Sequence, residues 1–399
     1  MRNHIAASLA LAVALAIASP AFAQKADDAD SLLTRAVELY NAGNAAGALP
    51  LAQQALAALE RQHGPDHLDV AFTLNYIAVL QQQLGRPQEA EPLLLRALSI
   101  RQKALGSDHP QVAALAQNLA MLYRAQGRRD EAELLFKRAL SINEKALGQD
   151  HLAVAANVSA LAALHQDAGR PRDAEPLYKR AIAINEKAFG ADDPQVSPSL
   201  VALGELYRTS GRLAEAEPLF KRALAISEKS FGPDHPDVAT SLHELAMTYW
   251  VLNRIDEVEP LFKRALAIRE KTYGTDHPAV AQTLNTMAGF YRDQGRHADA
   301  EPHFKRVANM YEKALGPDHP GVATSINNLA VLYQEMGRPT DAEPLAKRAL
   351  AIREKAFGKD SPQLLNTIHN LAELYRTLGR DSDAEALNKR AETIKQKAK

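Results

Sequence analysis

The segment Gly-Pro-Asp-His-Pro occupies residues 232–236 and returns at residues 316–320. A carboxylate beside an imidazole could transfer protons or hold a metal ion. Similar segments carry one His each, at His67, His109, His151, His235, His277 and His319. Two further copies have Asp193 and Ser361 in place of the His. Whether these groups can act together depends on the elements that carry them.

The first Gly of this segment recurs at a constant interval of 42 residues. Its positions are Gly64, Gly106, Gly148, Gly190, Gly232, Gly274, Gly316 and Gly358. A period held without insertion is typical of a solenoid of stacked units. Stacked helices lie roughly 10 Å apart, so equivalent histidines of two-helix repeats would be too distant to share one ion. The sequence therefore predicts no metal site, and a polar loop or interface role for the imidazoles.

Each period contains two segments with helical periodicity. In residues 110–128, apolar residues recur at spacings of three and four, from Val112 to Tyr123. This pattern predicts a first helix that ends at Gly127, since Gly readily adopts the left-handed conformation found just past helix ends. The same position is Gly in every repeat but one, where Asn253 replaces it. Residues 129–148 repeat the apolar pattern and predict a second helix.

The Asp-His-Pro segment has the features of a helix start. We expect Asp234 to cap the following helix by accepting hydrogen bonds from its free amides, and Pro236 to occupy the first turn. In three repeats a Gln follows the Asp by three residues, as a capping box requires. These pairs are Asp108 with Gln111, Asp192 with Gln195, and Asp360 with Gln363.

Composition and the N-terminus restrict the function further. The net charge of the 399-residue chain is −1, which argues against whole-chain attraction to nucleic acid or anionic membranes. The chain has no Cys, so thiol chemistry is excluded. Residues 1–23 combine a basic start, an apolar run and a cleavage pattern before Gln24, which predicts a signal peptide. A membrane anchor is the alternative, but the run is short for a span, and we expect no stable membrane insertion after cleavage.

Leu119, Ala120 and Tyr123, followed by Ala132 and Phe136, resemble the tetratricopeptide repeat. The 42-residue unit, with GxDHPxVA, NNLAxLY and AEPLxKRALAI, resembles the subclass found in kinesin light chains and nephrocystin-type bacterial proteins. The resemblance covers nearly all of residues 26–399. With the helical periodicity, it predicts an all-α fold and an α-solenoid superhelix of about nine antiparallel helix pairs, and the resemblance implies that the superhelix is right-handed. The signal peptide predicts an exported bacterial protein, periplasmic or secreted, and we expect no cofactor.

We predict three segments along the chain. Residues 1–23 form the signal peptide, and residues 24–63 form a degenerate N-terminal repeat. Residues 64–399 form an array of eight 42-residue repeats. The last helix of this array is strongly polar, as expected of a capping helix.

One face of the first helices lines a concave groove in proteins that this array resembles. Two columns of residues on this face are rich in carboxamides, which can pair with the backbone of an extended peptide. The predicted binding residues there are Asn75, Asn118, Asn327, Asn328 and Asn370. The alternative is that these amides only bond neighbouring repeats.

A third column on the same face is basic in every second repeat. It contains Arg124, Arg208, Arg292 and Arg376, with Trp250, the only Trp, among them. A spaced ladder of arginines would suit carboxylates, so we expect an acidic or C-terminal peptide segment as ligand. The alternative is arginines that are solvated or paired with acidic neighbours. Glu205, Glu335 and Glu373 lie near enough in sequence to neutralise them.

An enzyme would need a non-repeating group of catalytic side chains, and the sequence contains none, so catalysis is not expected. Lys-Arg pairs, from Lys137-Arg138 to Lys389-Arg390, alternate with glutamates and predict helix-surface salt bridges rather than nucleic-acid binding. The predicted function is a non-catalytic scaffold that binds a peptide segment or partner protein in the groove lined by the first helices. The alternative is a self-associating structural spacer without a peptide ligand.

Overall fold

A computed structural model describes residues 28–397. Eighteen α-helices follow one another in this range, and it contains no strand. The all-α class and the nine successive helix pairs predicted from the sequence are therefore confirmed, whereas the handedness of the superhelix stays a prediction. The predicted signal peptide lies outside the described residues. None of the described helices is long and apolar enough to cross a membrane.

The helices divide into two compact units, and the first unit ends at Ser210. Consecutive helices in it pack against each other, and the predicted degenerate repeat contains the pair α1 and α2. A short 3-10 turn, Pro194–Val196, precedes α9. The helices are α1 (Ala29–Asn41), α2 (Ala45–His63), α3 (Leu68–Gln83), α4 (Pro87–Leu105), α5 (Pro110–Ala125), α6 (Arg129–Leu147), α7 (Leu152–Asp167), α8 (Pro171–Phe189) and α9 (Ser197–Thr209).

The second unit begins at Gly211 and has the same construction. A 3-10 turn, Pro362–Leu364, precedes α17. Its helices are α10 (Leu213–Phe231), α11 (Pro236–Val251), α12 (Ile255–Tyr273), α13 (Pro278–Asp293), α14 (His297–Leu315), α15 (Pro320–Glu335), α16 (Pro339–Phe357), α17 (Leu365–Thr377) and α18 (Asp381–Lys397). In both units we call the odd-numbered helices helix A and the even-numbered ones helix B.

The residues that resemble the tetratricopeptide repeat form the core. Leu119 and Ala120 on α5 and Ala132 and Phe136 on α6 are buried, and they belong to one hydrophobic cluster. The small side chains let α5 and α6 approach closely, and the phenyl ring of Phe136 fills the space between them. Burial of these alternating small and large side chains holds the helix pair together.

The predicted glycine stop of helix A is confirmed. Gly127 has a φ of 78°, and the backbone N–H of Arg128 donates to the carbonyl of Tyr123 at 2.9 Å, which closes the end of α5. Asn253, at the equivalent position, has a φ of 59° and is the only non-Gly residue with positive φ in the described range. Asn tolerates this conformation better than other residues with a side chain, which explains why it alone replaces Gly.

The start of helix A differs from the sequence prediction, because the capping residue is the His and not the Asp. The Nδ1 atom of His109 accepts a hydrogen bond from the backbone N–H two residues later at 3.1 Å. Asp193 and Ser361, which replace the His in two repeats, accept the same hydrogen bond at 2.9 Å and 3.3 Å. The column of His, Asp and Ser is therefore a column of N-caps.

The predicted Asp caps and capping boxes are wrong. Asp234 receives the ammonium of Lys271 at 2.6 Å, and Asp108 receives that of Lys145 at 2.7 Å. The Asp lies one residue before the cap, so its side chain faces helix B of the same repeat rather than the free amides. Each Lys lowers the pKa of its Asp through this hydrogen bond.

We predict that His109→Ala destabilises the first unit by about 1 kcal/mol, because the amide that His109 accepts from loses its partner. His109→Asp should lose much less, since Asp193 shows that a carboxylate fits this position. Urea unfolding of both variants, followed by circular dichroism, measures the two free energies. Equal losses in the Ala and Asp variants would contradict a capping role.

Neighbouring repeats are connected by a recurring contact that we call the joint. In the first joint, Glu91 of α4 accepts a hydrogen bond from Arg128 at 2.8 Å and another from the hydroxyl of Tyr123 at 3.0 Å. The guanidinium of Arg128 also lies 3.7 Å from the centre of the Tyr123 ring. The same Glu–Arg contact recurs at Glu133–Arg170, Glu217–Arg254, Glu259–Arg296, Glu301–Arg338 and Glu343–Arg380.

The joints extend the predicted surface salt bridges. Lys137 contacts Glu133 at 2.7 Å within α6, as the four-residue spacing predicts. The same Glu133 also receives Arg170 from the next repeat at 2.7 Å. The two cations hold the pKa of Glu133 at about 2, with the hydrogen bond from Arg170 as the largest cause. This carboxylate therefore stabilises the boundary between repeats as well as its own helix.

Candidate functional site

The predicted carboxamide columns lie on the helix A face, and adjacent repeats bring their members together. In the first unit, Asn118 Nδ2 donates to Asn75 Oδ1 at 2.8 Å, which connects α5 to α3. In the second unit, Asn328 Nδ2 donates to Asn285 Oδ1 at 3.2 Å and connects α15 to α13. These hydrogen bonds agree with the alternative raised from the sequence, in which the amides bond neighbouring repeats. They also fix the orientation of each amide.

The two other predicted Asn residues are half-buried on the same face of the second unit. Asn327 precedes Asn328 on α15, and Asn370 lies on α17. The Oδ1 atom of Asn327 is shielded from solvent and accepts no hydrogen bond from another described residue. This oxygen therefore lies out of reach of a ligand on the surface of the face.

The predicted arginines lie in the last turns of the A helices, and carboxylates accompany three of them. Arg124 Nε donates to Asp167 Oδ2 at 2.6 Å, between α5 and α7. Arg376 contacts Glu373 within α17. Arg292 contacts two carboxylates, at 3.0 Å and 3.7 Å. These ion pairs support the alternative of salt-bridged arginines, and Arg208 lies at the end of α9, in the first unit.

Trp250 lies half-buried in the last turn of α11, and its surroundings include a residue that the sequence reasoning missed. The indole is perpendicular to the ring of Phe290, at 84°, with the ring centres 5.7 Å apart. Its outermost ring carbon lies 3.5 Å from the place where a Cβ atom on Gly289 would be. Gly289 is a glycine inside a helix, where repeats before and after have Met247 and Val331. The Gly at a position where neighbouring repeats carry a side chain was the signal in the sequence that could have revealed this contact.

The described residues contain no group of three or more His, Asp or Glu side chains that could hold a metal ion. The arrangement on the helix A face offers hydrogen-bond donors and acceptors, three ion-paired arginines and one aromatic surface. Such groups can recognise a ligand by contact.

Solved structures of several helical repeat proteins are similar to this chain. A Rap protein complexed with competence and sporulation factor is 16% identical, with a TM-score of 0.57, over 92% of this chain and 98% of that chain. The apo form of the quorum sensor NprR from B. thuringiensis is 14% identical, with a TM-score of 0.60, over 81% of this chain and 87% of that chain. At these identities the likeness shows the fold alone.

Nearly identical TPR-like repeats of a kinesin light chain from Podosopora anserina are 31% identical to this chain. That match has a TM-score of 0.46 and covers 52% of this chain and 98% of that chain. No curated protein matches the sequence.

The family model of the tetratricopeptide repeat matches most of the sequence. The matched segments are residues 27–103, 73–145, 151–229, 195–271, 279–355 and 324–397. Together they span nearly all of the described helices, and they confirm the family prediction. The chain belongs to the tetratricopeptide repeat family.

Proposed function

We propose that this protein is a non-catalytic scaffold whose helix A face holds an extended peptide segment of a partner protein. Membership of the tetratricopeptide repeat family supports a role in protein–protein interaction. The observation that carries the proposal is the pairing of carboxamides on that face, Asn75 with Asn118 in the first unit and Asn285 with Asn328 in the second.

The chemistry of the paired carboxamides suits a peptide backbone. The bond between Asn118 and Asn75 uses one N–H of Asn118 and the oxygen of Asn75. Among the described residues, no other hydrogen bond engages the amide hydrogens of Asn75 or the oxygen of Asn118. An extended peptide presents carbonyl and N–H groups in alternation, so such pairs can bind it whatever its side chains are.

The arginines would add a preference for acidic segments, because a carboxylate of the ligand could replace the carboxylate that each arginine now contacts. An acidic side chain or a terminal carboxylate of the ligand would displace Asp167 from Arg124, or Glu373 from Arg376. Because such exchange replaces one ion pair with another, its net contribution to affinity is small, and the carboxamides of the face carry the binding.

A polar surface on α18 favours the scaffold over the self-associating spacer. Asn388 and Glu392 occupy the positions that Ala346 and Leu350 occupy in α16. Both residues of α16 are buried, whereas Glu392 is exposed and Asn388 is half-buried. A polar outer face of this kind opposes stacking of another copy, because burial would desolvate polar groups without partners.

We predict that Asn118→Ala and Asn328→Ala, combined, lower the retention of a partner by about tenfold, as expected for two lost hydrogen bonds of about 0.7 kcal/mol each. The measurement is a quantitative pull-down from the extract of exported proteins, since the sequence predicts export. The matched control is Lys137→Ala with Lys305→Ala, which alters exposed positions of helix B.

The outcomes separate the two candidate functions. Equal retention by the Asn variant and the Lys variant would move binding to another surface. A partner captured by none of the proteins would favour the spacer. A third protein, with Arg124, Arg208, Arg292 and Arg376 changed to Ala, tests the acidic preference, which is wrong if acidic partners are still retained.

A further inference from the structure

Two departures from the period on the helix A face of the second unit lie next to each other. Trp250 occupies a column in which other repeats have Gln or Arg, for example Gln166 and Arg292. Gly289, in the next repeat, occupies a column in which its neighbours Met247 and Val331 carry side chains. Glycine inside a helix costs about 1 kcal/mol relative to Ala. Because Trp250 and Gly289 occur in neighbouring repeats, they indicate a local role that the packing of the repeats does not require.

The two departures are in contact, and together they place an indole on the surface. The ring of Trp250 reaches to 3.5 Å from the position that a Gly289 Cβ would take, and the edge-to-face contact with Phe290 fixes its orientation. The indole is half-buried, so part of its surface faces solvent.

In the two repeats that follow Trp250, the ion pairs at the end of helix A contain two carboxylates and one guanidinium. Asp293 has the same position relative to Trp250 as Asp167 has relative to Arg124, three repeats earlier. Because Trp250 carries no charge, Asp293 instead contacts Arg292 of its own helix at 3.0 Å. Arg292 also contacts a second carboxylate at 3.7 Å.

That second carboxylate belongs to Glu335. Its other basic neighbour is His297, whose Nε2 atom lies 3.8 Å away and is charged only when protonated. The side chains of Asp293 and Glu335 are 44% and 41% exposed, and they share one guanidinium. The two carboxylates therefore compete for one arginine.

We propose that Trp250, Asp293 and Glu335 form a subsite for a lysine or arginine side chain of the bound segment, an inference that rests on the proposed function. A cation over an indole is attracted by its electron-rich face, and Trp is the strongest aromatic partner for it. The carboxylates supply the counter-charge.

The fluorescence of Trp250 measures binding directly, because the sequence has no other Trp. The probes are three capped Gly-Ser peptides that differ only in a central Lys, norleucine or Glu. We expect the Lys peptide to change the emission at a concentration about threefold to tenfold lower than the norleucine peptide, with an advantage that falls as salt is added. The Glu peptide should bind most weakly.

Substitutions test whether Asp293 and Glu335 are the carboxylates of the subsite. Asp293→Asn with Glu335→Gln should abolish the advantage of the Lys peptide over the norleucine peptide. The control Glu385→Gln, on α18, removes an exposed carboxylate outside this face and should preserve the advantage. Equal binding of the Lys and norleucine peptides to the unmodified protein, or stronger binding of the Glu peptide, would overturn the subsite.

Failure of the subsite and failure of the proposed function give different results in the pull-down. Trp250→Gln restores the residue that other repeats have at this position and leaves the carboxamide pairs in place. We expect it to lower partner retention about threefold or more. If retention falls in the Asn variant but not in Trp250→Gln, the scaffold function stands and the subsite is wrong. If neither change lowers retention, the proposed binding face itself is wrong.

Discussion

Phe136→Ala is expected to lower the free energy of unfolding of the first unit by about 3–5 kcal/mol. Phe136 is fully buried, in one cluster with Leu119 of α5 and Leu161 of α7. Its removal leaves a cavity, because the closely packed Ala residues on either side hold the helix backbones in place and prevent collapse. The measurement is urea unfolding followed by circular dichroism at 222 nm.

The matched control for this prediction is Leu134→Ala, two residues earlier on the same helix. The side chain of Leu134 is 70% exposed, so its loss should change the free energy by less than about 0.5 kcal/mol. Similar losses in both variants would show that the ring of Phe136 does not hold the helix pair together. The comparison cancels any effect of placing Ala in α6.

Acid is expected to destabilise the array through the joints. Hydrogen bonds from Arg170 and Lys137 hold the pKa of Glu133 at about 2, and those from Arg296 and Lys263 do the same for Glu259. The pKa is also lowered at Glu217, Glu301 and Glu343, in each case first through the hydrogen bond from a Lys four residues later.

The direction of the pH effect follows from the pKa of these carboxyls in the folded and the unfolded protein. The pKa of these carboxyls is lower in the folded protein than the ordinary value of about 4.5 in the unfolded chain, so the unfolded chain binds more protons in acid. The stabilisation is therefore complete above about pH 5 and is lost as the pH falls through 4.5 towards 2. We expect the melting temperature to fall by roughly 10 °C or more between pH 5 and pH 3.

Glu133→Gln with Glu259→Gln tests the origin of this acid sensitivity. The double variant should melt at a lower temperature than the unmodified protein at pH 7 and should depend less on pH below 5, since two titrating contacts are gone. The control Glu385→Gln changes an exposed Glu of α18 and should leave the pH profile intact. An unchanged profile in the double variant would contradict the role assigned to the joints.

Most of the fold could be predicted because the 42-residue period repeats the same local information. Gly127 and its equivalents identify the end of helix A, because this position requires a positive φ. Asn253 replaces Gly once, and Asn is the residue with a side chain that best tolerates a positive φ. The cap could not be assigned in the same way. Asp and His are adjacent, both can accept a hydrogen bond, and only the backbone geometry shows that the His does so.

The exact partners in contacts between repeats could not be assigned from the sequence. Arg128 belongs to the conspicuous Gly-Arg dipeptide, but its partner Glu91 lies 37 residues earlier on another helix. The division after Ser210 was also hidden, since the period continues across it without a shift. At the candidate site, the columns of Asn and Arg were visible in the sequence, whereas the pairing of Asn118 with Asn75 required the structure.

The spacing of the joint bears on how such an array changes length during evolution. The Tyr and Arg that meet Glu91 follow it by 32 and 37 residues, both shorter than the period. Duplication of any 42-residue stretch within a unit therefore places each Tyr and Arg next to a Glu again. The new boundary between repeats then has all the contacts of the joint. A gene can gain or lose whole repeats without a compensating mutation, whereas a partial duplication would leave a carboxylate and an arginine without each other.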